Sequence, residues 1–181
     1  MYTYIHMLDG LQENISLKNY STMRLGGQAR YLVEVQDYHD IQRIIGWAES
    51  QSLPVVMIGH GSNIIWQDVG YQGVVIVNRI PGYELQDQGE QQFVIAGAGE
   101  NWDEVVERSV ASGLSGLECL SLIPGTVGAT PVQNVGAYGR EVADCLVCVQ
   151  AYDRVEKKMV VIPKSDCGFS YRNSRFKGED H

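Results

Sequence analysis

The stretch from Leu117 to Gly139 holds the residues best suited to bind a ligand through the backbone. Four glycines, Gly125, Gly128, Gly136 and Gly139, lie there among prolines and side-chain amides, with few residues able to form a packed core. Glycine lets a backbone approach a ligand closely and adopt positive φ, so that its N–H groups point at anionic or carbonyl oxygens. The stretch therefore indicates a binding loop.

A second glycine loop lies at residues 59–63, which read Gly-His-Gly-Ser-Asn and directly follow the apolar run 54–58. A glycine loop after a strand is a usual context for phosphate binding. This loop matches neither the dinucleotide fingerprint nor a Walker loop, because it lacks the third glycine of the first and the Gly-Lys-Ser/Thr of the second. Two such loops favour a large phosphate-bearing cofactor, and the alternative is a pair of tight surface turns.

Aromatic and basic residues form a cluster from Phe169 to Lys177 near the end of the chain. Within this cluster, Tyr171 stands beside Arg172. A phenolic hydroxyl next to a guanidinium can bind a carboxylate or an enolate oxygen. The alternative is a solvated turn rich in charge.

The composition limits the classes of partner. The 181 residues are 44% hydrophobic, and 14 Lys and Arg against 22 Asp and Glu give a net charge of -8. This acidic balance predicts no nucleic acid and no membrane as partners. The first ten residues resemble no secretory signal, and no apolar run is long enough to span a bilayer.

The four cysteines predict ordinary buried thiols in a reducing cytoplasm, with no metal site. Cys145 and Cys148 have C-x-x-C spacing, but they fall in a β-like run from Cys145 to Tyr152. Positions i and i+3 of a strand point to opposite faces, which suits neither a metal nor a redox pair.

The pattern from residue 1 to 78 predicts a first lobe of βαββ type. Strands are expected at Tyr31–Val35 and Val55–Ile58, around a helix over Asp37–Ser50 with Asp37 as N-cap. The run Ile64–Trp66 is expected to continue as a strand.

The second lobe is expected over residues 79–181, with strands at Phe93–Ala98, Leu146–Tyr152 and Met159–Ile162 and a turn at residues 153–154. A helix over Asn101–Ser112 is predicted to begin with a capping-box pattern between Asn101 and Glu104. Its expected inner face contains Trp102, Val105, Val106, Ser109 and Val110. The predicted fold class is α+β, with two lobes and the cofactor between them.

Several motifs together resemble the UDP-N-acetylenolpyruvoylglucosamine reductase family, whose flavin domain is of the vanillyl-alcohol-oxidase (PCMH) type. The matching segments run in family order over nearly the whole chain: Asn19–Gly27, Gly59–Ile64, Gly97–Trp102, Gly116–Glu118, Ile123–Gly125, Gln133–Gly139 and Tyr171–Ser174. The family continues with a third, substrate-binding domain, which cannot be assigned here. The resemblance therefore implies the FAD-binding portion, unable to turn over substrate alone.

The resemblance also implies roles for individual residues. Arg172 would be the catalytic arginine, and the substrate-binding residues would be Tyr171, Gln133 and Asn134. FAD would be bound by Gly59, His60, Gly61, Ser62 and Asn63 at its pyrophosphate and by Ile123, Pro124, Gly125, Gly128 and Gly136 near its ring. NADPH would donate the hydride, and the partner would be a small-molecule UDP-sugar.

Two other functions stay open at this point. One is another oxidoreductase of the same flavin fold, and the other is a binding module that kept the fold without turnover. A flavin absorption spectrum distinguishes the last from the others. The oligomeric state is left open.

Overall fold

The computed structural model describes residues 9–89 and 91–178 of the chain. It divides into two compact units, the first ending at Ile80 and the second beginning at Pro81. None of the helices within the described ranges is long and apolar enough to cross a membrane.

The first unit is built on a mixed sheet with the strand order β1-β2-β4-β3. The elements are β1 (Gln12–Ser16), β2 (Gln28–Val35), α1 (Tyr38–Ser50), β3 (Val55–Ile58) and β4 (Tyr71–Asn78). β1 pairs antiparallel with β2, whereas β2, β4 and β3 are parallel. The strand expected at 55–58 is confirmed, and the one expected at 31–35 extends back to residue 28. β1 and β4 were not predicted from the sequence.

Burial on both faces explains the central position of β4. Its residues 74–77 read Val-Val-Ile-Val, and all four are 0% exposed. Branched residues of this kind suit a parallel strand that is covered on both sides. Val75 and Val77 pack with Leu17, Leu32 and Trp66 in one apolar cluster.

Helix α1 forms as its apolar spacing predicts. Its buried positions at i, i+3, i+4 and i+7 are Ile41, Ile44, Ile45 and Ala48. Asp37 caps the helix by accepting a hydrogen bond of 2.9 Å from the amide of Asp40, which confirms the predicted N-cap.

The strand expected at Ile64–Trp66 is wrong, since these residues form no regular element. Trp66 is instead buried in the core, and its indole Nε1 donates to the carbonyl of Tyr20 at 3.4 Å. Packing of the Trp66 side chain, and not strand pairing, therefore determines the conformation of this segment.

Three antiparallel strand pairs make up the sheets of the second unit within the described residues. The pairs are β5 (Tyr83–Gln88) with β6 (Gln91–Ala96), β7 (Gly136–Ala137) with β8 (Arg140–Glu141), and β9 (Cys148–Asp153) with β10 (Lys158–Pro163). The helices are α2 (Trp102–Ala111), α3 (Val142–Cys145) and α4 (Arg175–Gly178). β5 was not predicted, and Cys145 ends α3 instead of starting a strand, since the strand begins only at Cys148.

Helix α2 carries the core of the second unit. Asn101 accepts hydrogen bonds from the amides of Asp103 and Glu104, which confirms it as the N-cap. The return bond of the predicted capping box, from the Asn101 amide to the Glu104 carboxylate, is not found among the described residues. Trp102 and Val106 pack with Leu120 and Val142 in one cluster. Val110 is 45% exposed, so its assignment to the inner face is wrong. It lies eight residues after Trp102, at the edge of the apolar stripe.

Candidate functional site

The loop 59–63 follows β3 and is closed around Gly61. Gly61 has φ +68, and a Cβ at this position would lie 2.1 Å from the carbonyl oxygen of Tyr20. Its own carbonyl accepts a hydrogen bond of 3.2 Å from the amide of Thr22. Only glycine fits both the dihedral angle and the contact.

The N–H of Gly61 is the group in this loop that indicates ligand binding. Gly61 is buried, and no acceptor for its N–H is found within residues 9–89 and 91–178. Buried amide donors are nearly always paired, with protein, water or ligand. A buried donor in a glycine loop fits an anionic oxygen.

The segment from Tyr20 to Gly27 supports this loop, and reasoning from the residues alone did not single it out. A Cβ on Gly26 would lie 2.4 Å from that of Trp66, and one on Gly27 would lie 2.2 Å from the carbonyl oxygen of Asp68. The segment 66–70 therefore approaches the chain closely at these two consecutive glycines. The Gly26-Gly27 pair, placed just before a strand, was the signal available in the sequence.

The glycine loop Ile123–Gly128, within the stretch Leu117 to Gly139, lies against the start of α2. The amide of Trp102 donates to the carbonyl of Gly125 at 3.1 Å, and the amide of Gly128 donates to the carbonyl of Ala98 at 2.9 Å. A Cβ on Gly128 would lie 2.7 Å from that of Ala98. This glycine therefore allows a close approach between two backbone segments.

Tyr171 and Arg172 occupy the tip of a two-residue turn. The amide of Ser170 donates to the carbonyl of Asn173 at 3.1 Å, and the amide of Asn173 donates back at 3.0 Å. Arg172 has φ +53, a conformation that is uncommon for residues other than glycine and asparagine. Such backbone outliers cluster at functional sites, because the surrounding structure must hold them in place.

A cavity of about 360 Å³ in the second unit brings several predicted site residues together. Asn134, Gly136, Tyr171 and Arg172 all line it. Gln133, Ile123, Pro124, Gly125 and Gly128 do not line it. Gly59, His60, Gly61, Ser62 and Asn63 belong to the first unit.

Further lining residues had no individual role predicted, although the first three of them lie in the predicted binding stretch that ends at Gly139. They are Ala137, Tyr138, Gly139, Arg140, Glu141 and Asp144. Tyr138 is 91% exposed and has φ +51, so a large aromatic ring is presented in a second unusual backbone conformation. Its place two residues after one glycine and directly before another was the signal in the sequence.

The guanidinium of Arg172 is available to an anion. Arg172 is exposed, and no ion pair or hydrogen bond of its side chain is found in the described part of the chain. Its carbonyl accepts a bond from Lys177 Nζ at 3.1 Å. The acidic side chains of the same cavity, Glu141 and Asp144, are engaged in hydrogen bonds with Asn134 and with the amide of Glu141.

The pKa of Glu118 and that of Cys145 are shifted in the second unit. The carboxylate of Glu118 accepts hydrogen bonds from its own amide and from that of Gly116, which hold its pKa below the usual 4.5. Partial desolvation of its sulfur and the nearby Asp144 carboxylate raise the pKa of the Cys145 thiol, although the residue as a whole is exposed. All four cysteines are free, and three of them, Cys119, Cys145 and Cys148, are exposed, so their predicted burial holds only for Cys167. No group of three or more His, Cys, Asp or Glu side chains placed to hold a metal ion occurs among the residues described.

Residues 29–157 match the model described as FAD binding domain. The UDP-N-acetylenolpyruvoylglucosamine reductase of Salinispora arenicola is 44% identical over 165 residues, which are 91% of this chain and 46% of that protein. The chain spans about half the length of the curated relatives it matches.

Two solved structures show the same fold. UDP-N-acetylenolpyruvylglucosamine reductase from Thermus caldophilus aligns with a TM-score of 0.69 and 28% identity over 88% of this chain and 55% of that one. A VAO-type flavoprotein from Myceliophthora thermophila aligns with a TM-score of 0.60 and 19% identity over 76% of this chain and 27% of that one. The motif-based resemblance and the expected α+β flavin fold are confirmed.

Proposed function

We propose that this chain, which belongs to the FAD-binding domain family, forms the FAD-binding part of a UDP-N-acetylenolpyruvoylglucosamine reductase. The proposed reaction reduces the enolpyruvyl group of a UDP-sugar to a lactyl ether in peptidoglycan precursor synthesis, with NADPH as hydride donor. Similarity to reductases of that name over about nine-tenths of the chain supports the proposal. Because those relatives are about twice as long, we expect no turnover from residues 1–181 alone.

The buried donor of Gly61 supports binding of the FAD pyrophosphate by the loop 59–63. Gly59 and Gly61 would supply main-chain amides, and His60, Ser62 and Asn63 would add side-chain contacts. Main-chain donors suit this task because their direction is set by the fold, and an anion gains most from donors already in place. In the second unit, Ile123, Pro124, Gly125, Gly128 and Gly136 would lie near the flavin ring.

The exposed guanidinium of Arg172 is the main support for the proposed substrate binding. Bound FAD would supply the hydride transfer. Reduction of an enolpyruvyl double bond develops negative charge on the carboxylate side, and a fixed guanidinium stabilises that charge without exchanging a proton. Tyr171, 83% exposed at the same turn, would add a hydroxyl donor, and Gln133 would contact the same ligand.

The proposed location is the cytoplasm, since four free thiols suit a reducing compartment. The proposed partner is a small anionic sugar nucleotide, which fits a local cationic site in a chain of net charge -8.

A visible absorption spectrum of the purified chain tests the cofactor. After incubation with FAD and gel filtration, we expect flavin bands to elute with the protein. Addition of the enolpyruvyl UDP-sugar is then expected to shift these bands. Protein that elutes without flavin would remove the cofactor proposal, whereas bound flavin that ignores this ligand would favour another oxidoreductase of the same fold.

A further inference from the structure

We infer that Asn134 is a positioning residue that holds the Tyr171–Arg172 turn against its cavity, and that it does not itself bind substrate. The importance of the turn rests on the proposed function, but the geometry that assigns this role to Asn134 does not.

All polar atoms of the Asn134 side chain are used within the protein. Its Nδ2 donates to the carbonyl of Ser170 at 3.1 Å and to Glu141 Oε2 at 2.7 Å, and its Oδ1 accepts from the amide of Ala143 at 3.2 Å. The residue is 1% exposed. A side-chain amide has two N–H donors, so neither is left for a ligand.

These bonds join the turn to two other segments of the second unit. Ser170 is the first residue of the turn, and its carbonyl accepts from both Asn173 and Asn134. Glu141 lies in β8 and lines the same cavity as Tyr171 and Arg172, and Ala143 lies in α3. Asn134 therefore connects the base of the turn to β8 and α3.

A separate contact supports the same connection. Ser174, 4% exposed, donates from its Oγ to the carbonyl of Val132 at 2.7 Å. The segment after the turn is thus joined to the segment before Asn134. Two buried bonds of this kind restrain a turn whose tip has an unfavourable φ.

The backbone explains why the residue is asparagine. Asn134 has φ +46, in the left-handed region where asparagine is tolerated better than most residues. Glycine would keep this backbone and delete the side chain. Aspartate would keep the shape but place a carboxylate against Glu141 and the Ser170 carbonyl.

Amide hydrogen exchange on the Asn134→Gly variant tests the positioning role. We expect the amide of Asn173 to exchange about five- to tenfold faster, because one hydrogen bond to the turn is lost. Amides of the β9–β10 pair serve as the internal control and are expected to change much less. An unchanged rate at Asn173, or an equal increase in β9–β10, would overturn the inference.

A double variant separates positioning from general stability. Asn134→Asp is expected to lower the thermal midpoint through the facing carboxylates. Adding Glu141→Gln is expected to restore the midpoint, since the new amide donates to the new carboxylate, while exchange at Asn173 stays fast because Ser170 still lacks its donor. Recovery of both quantities together would contradict the role.

Titration of the FAD-loaded chain with the enolpyruvyl UDP-sugar distinguishes failure of the two proposals. Asn134→Gly is expected to weaken the flavin response to this ligand about tenfold with FAD affinity unchanged, while Asn134 makes no ligand contact of its own. If the unmodified chain gives no response, the proposed function fails, and hydrogen exchange still decides the positioning role. If the chain responds and Asn134→Gly responds equally well, the inference is wrong.

Discussion

The glycine loop of the first unit and the arginine turn of the second are two opposite solutions to ligand binding. Gly61 is buried, tolerates no side chain and offers a main-chain donor. Arg172 is exposed, accepts an unfavourable φ and offers a side chain. The proposed cofactor would be bound by main-chain amides, which all residues except proline have. The proposed substrate would be bound by a guanidinium, which only arginine has.

The supports of the two regions also differ. The loop 59–63 follows a strand of a sheet whose central strand is buried on both faces. The turn 171–172 lies in a unit of short strand pairs, where single hydrogen bonds such as those of Asn134 and Trp102 connect the segments. We therefore expect the first region to be most sensitive to substitutions that disturb packing. We expect the second to be most sensitive to substitutions that remove individual polar contacts.

The largest effect is expected for Gly61→Ala. The added Cβ meets the Tyr20 carbonyl and the φ of +68 becomes strained, so we expect a loss of about 2–4 kcal/mol in the free energy of unfolding. FAD affinity is expected to fall at least tenfold. Urea unfolding and flavin titration measure the two quantities.

Gly113→Ala is the matched control for this variant. Gly113 has φ +79, but a Cβ added there would meet no atom within 4 Å beyond its neighbours in the chain. It should cost about 1 kcal/mol from the dihedral angle alone, with FAD affinity unchanged. Equal losses in both variants would show that the contact with Tyr20 is unimportant.

Trp102→Phe tests the support of the second unit by one polar contact. The indole Nε1 donates to the carbonyl of Leu120 at 2.8 Å inside the core. Removing this donor leaves a buried carbonyl unsatisfied, so we expect a loss of about 1–3 kcal/mol in the free energy of unfolding. Urea unfolding provides the measurement, and a change below about 0.5 kcal/mol would argue against dependence on this bond.

The smallest effect is expected for the pH dependence contributed by Glu118. Amide donors to its carboxylate depress its pKa in the folded state, so its stabilising contribution is present above the ordinary 4.5 and is lost as pH falls through the folded value. The difference in thermal midpoint between the unmodified chain and Glu118→Gln should therefore be largest near neutral pH. It should shrink in acid, and a difference that grows in acid would reverse the sign of this account.

The elements α1, α2 and β3 could be predicted because their signals are local. The apolar spacing and Asp37 cap of α1 and the apolar run of β3 each depend on a few neighbouring residues. The run Ile64–Trp66 misled because Trp66 finds its partners at Tyr20 and Gly26, some forty residues away. No local pattern shows such a contact.

The site shows the same division. Tyr171 and Arg172 could be selected by residue type, and the structure brings them to one cavity with Asn134 and Gly136. Glu141 and Asp144 were missed because acidic residues without special spacing are common on surfaces. The engaged side chain of Asn134 was also hidden, since its three partners are spread from residue 141 to residue 170.

Parallel titrations of Arg172→Gln and the control Arg43→Gln test most directly whether the two regions bind different ligands. Arg43 is an exposed arginine on α1, where the same substitution removes one surface ion pair. We predict that Arg172→Gln keeps the FAD affinity of the unmodified chain within about twofold and weakens the flavin response to the enolpyruvyl UDP-sugar about ten- to a hundredfold, as loss of a charge-assisted contact requires. Arg43→Gln should change neither quantity. An Arg172→Gln variant that loses FAD, or that responds to this ligand as the unmodified chain does, would contradict the account.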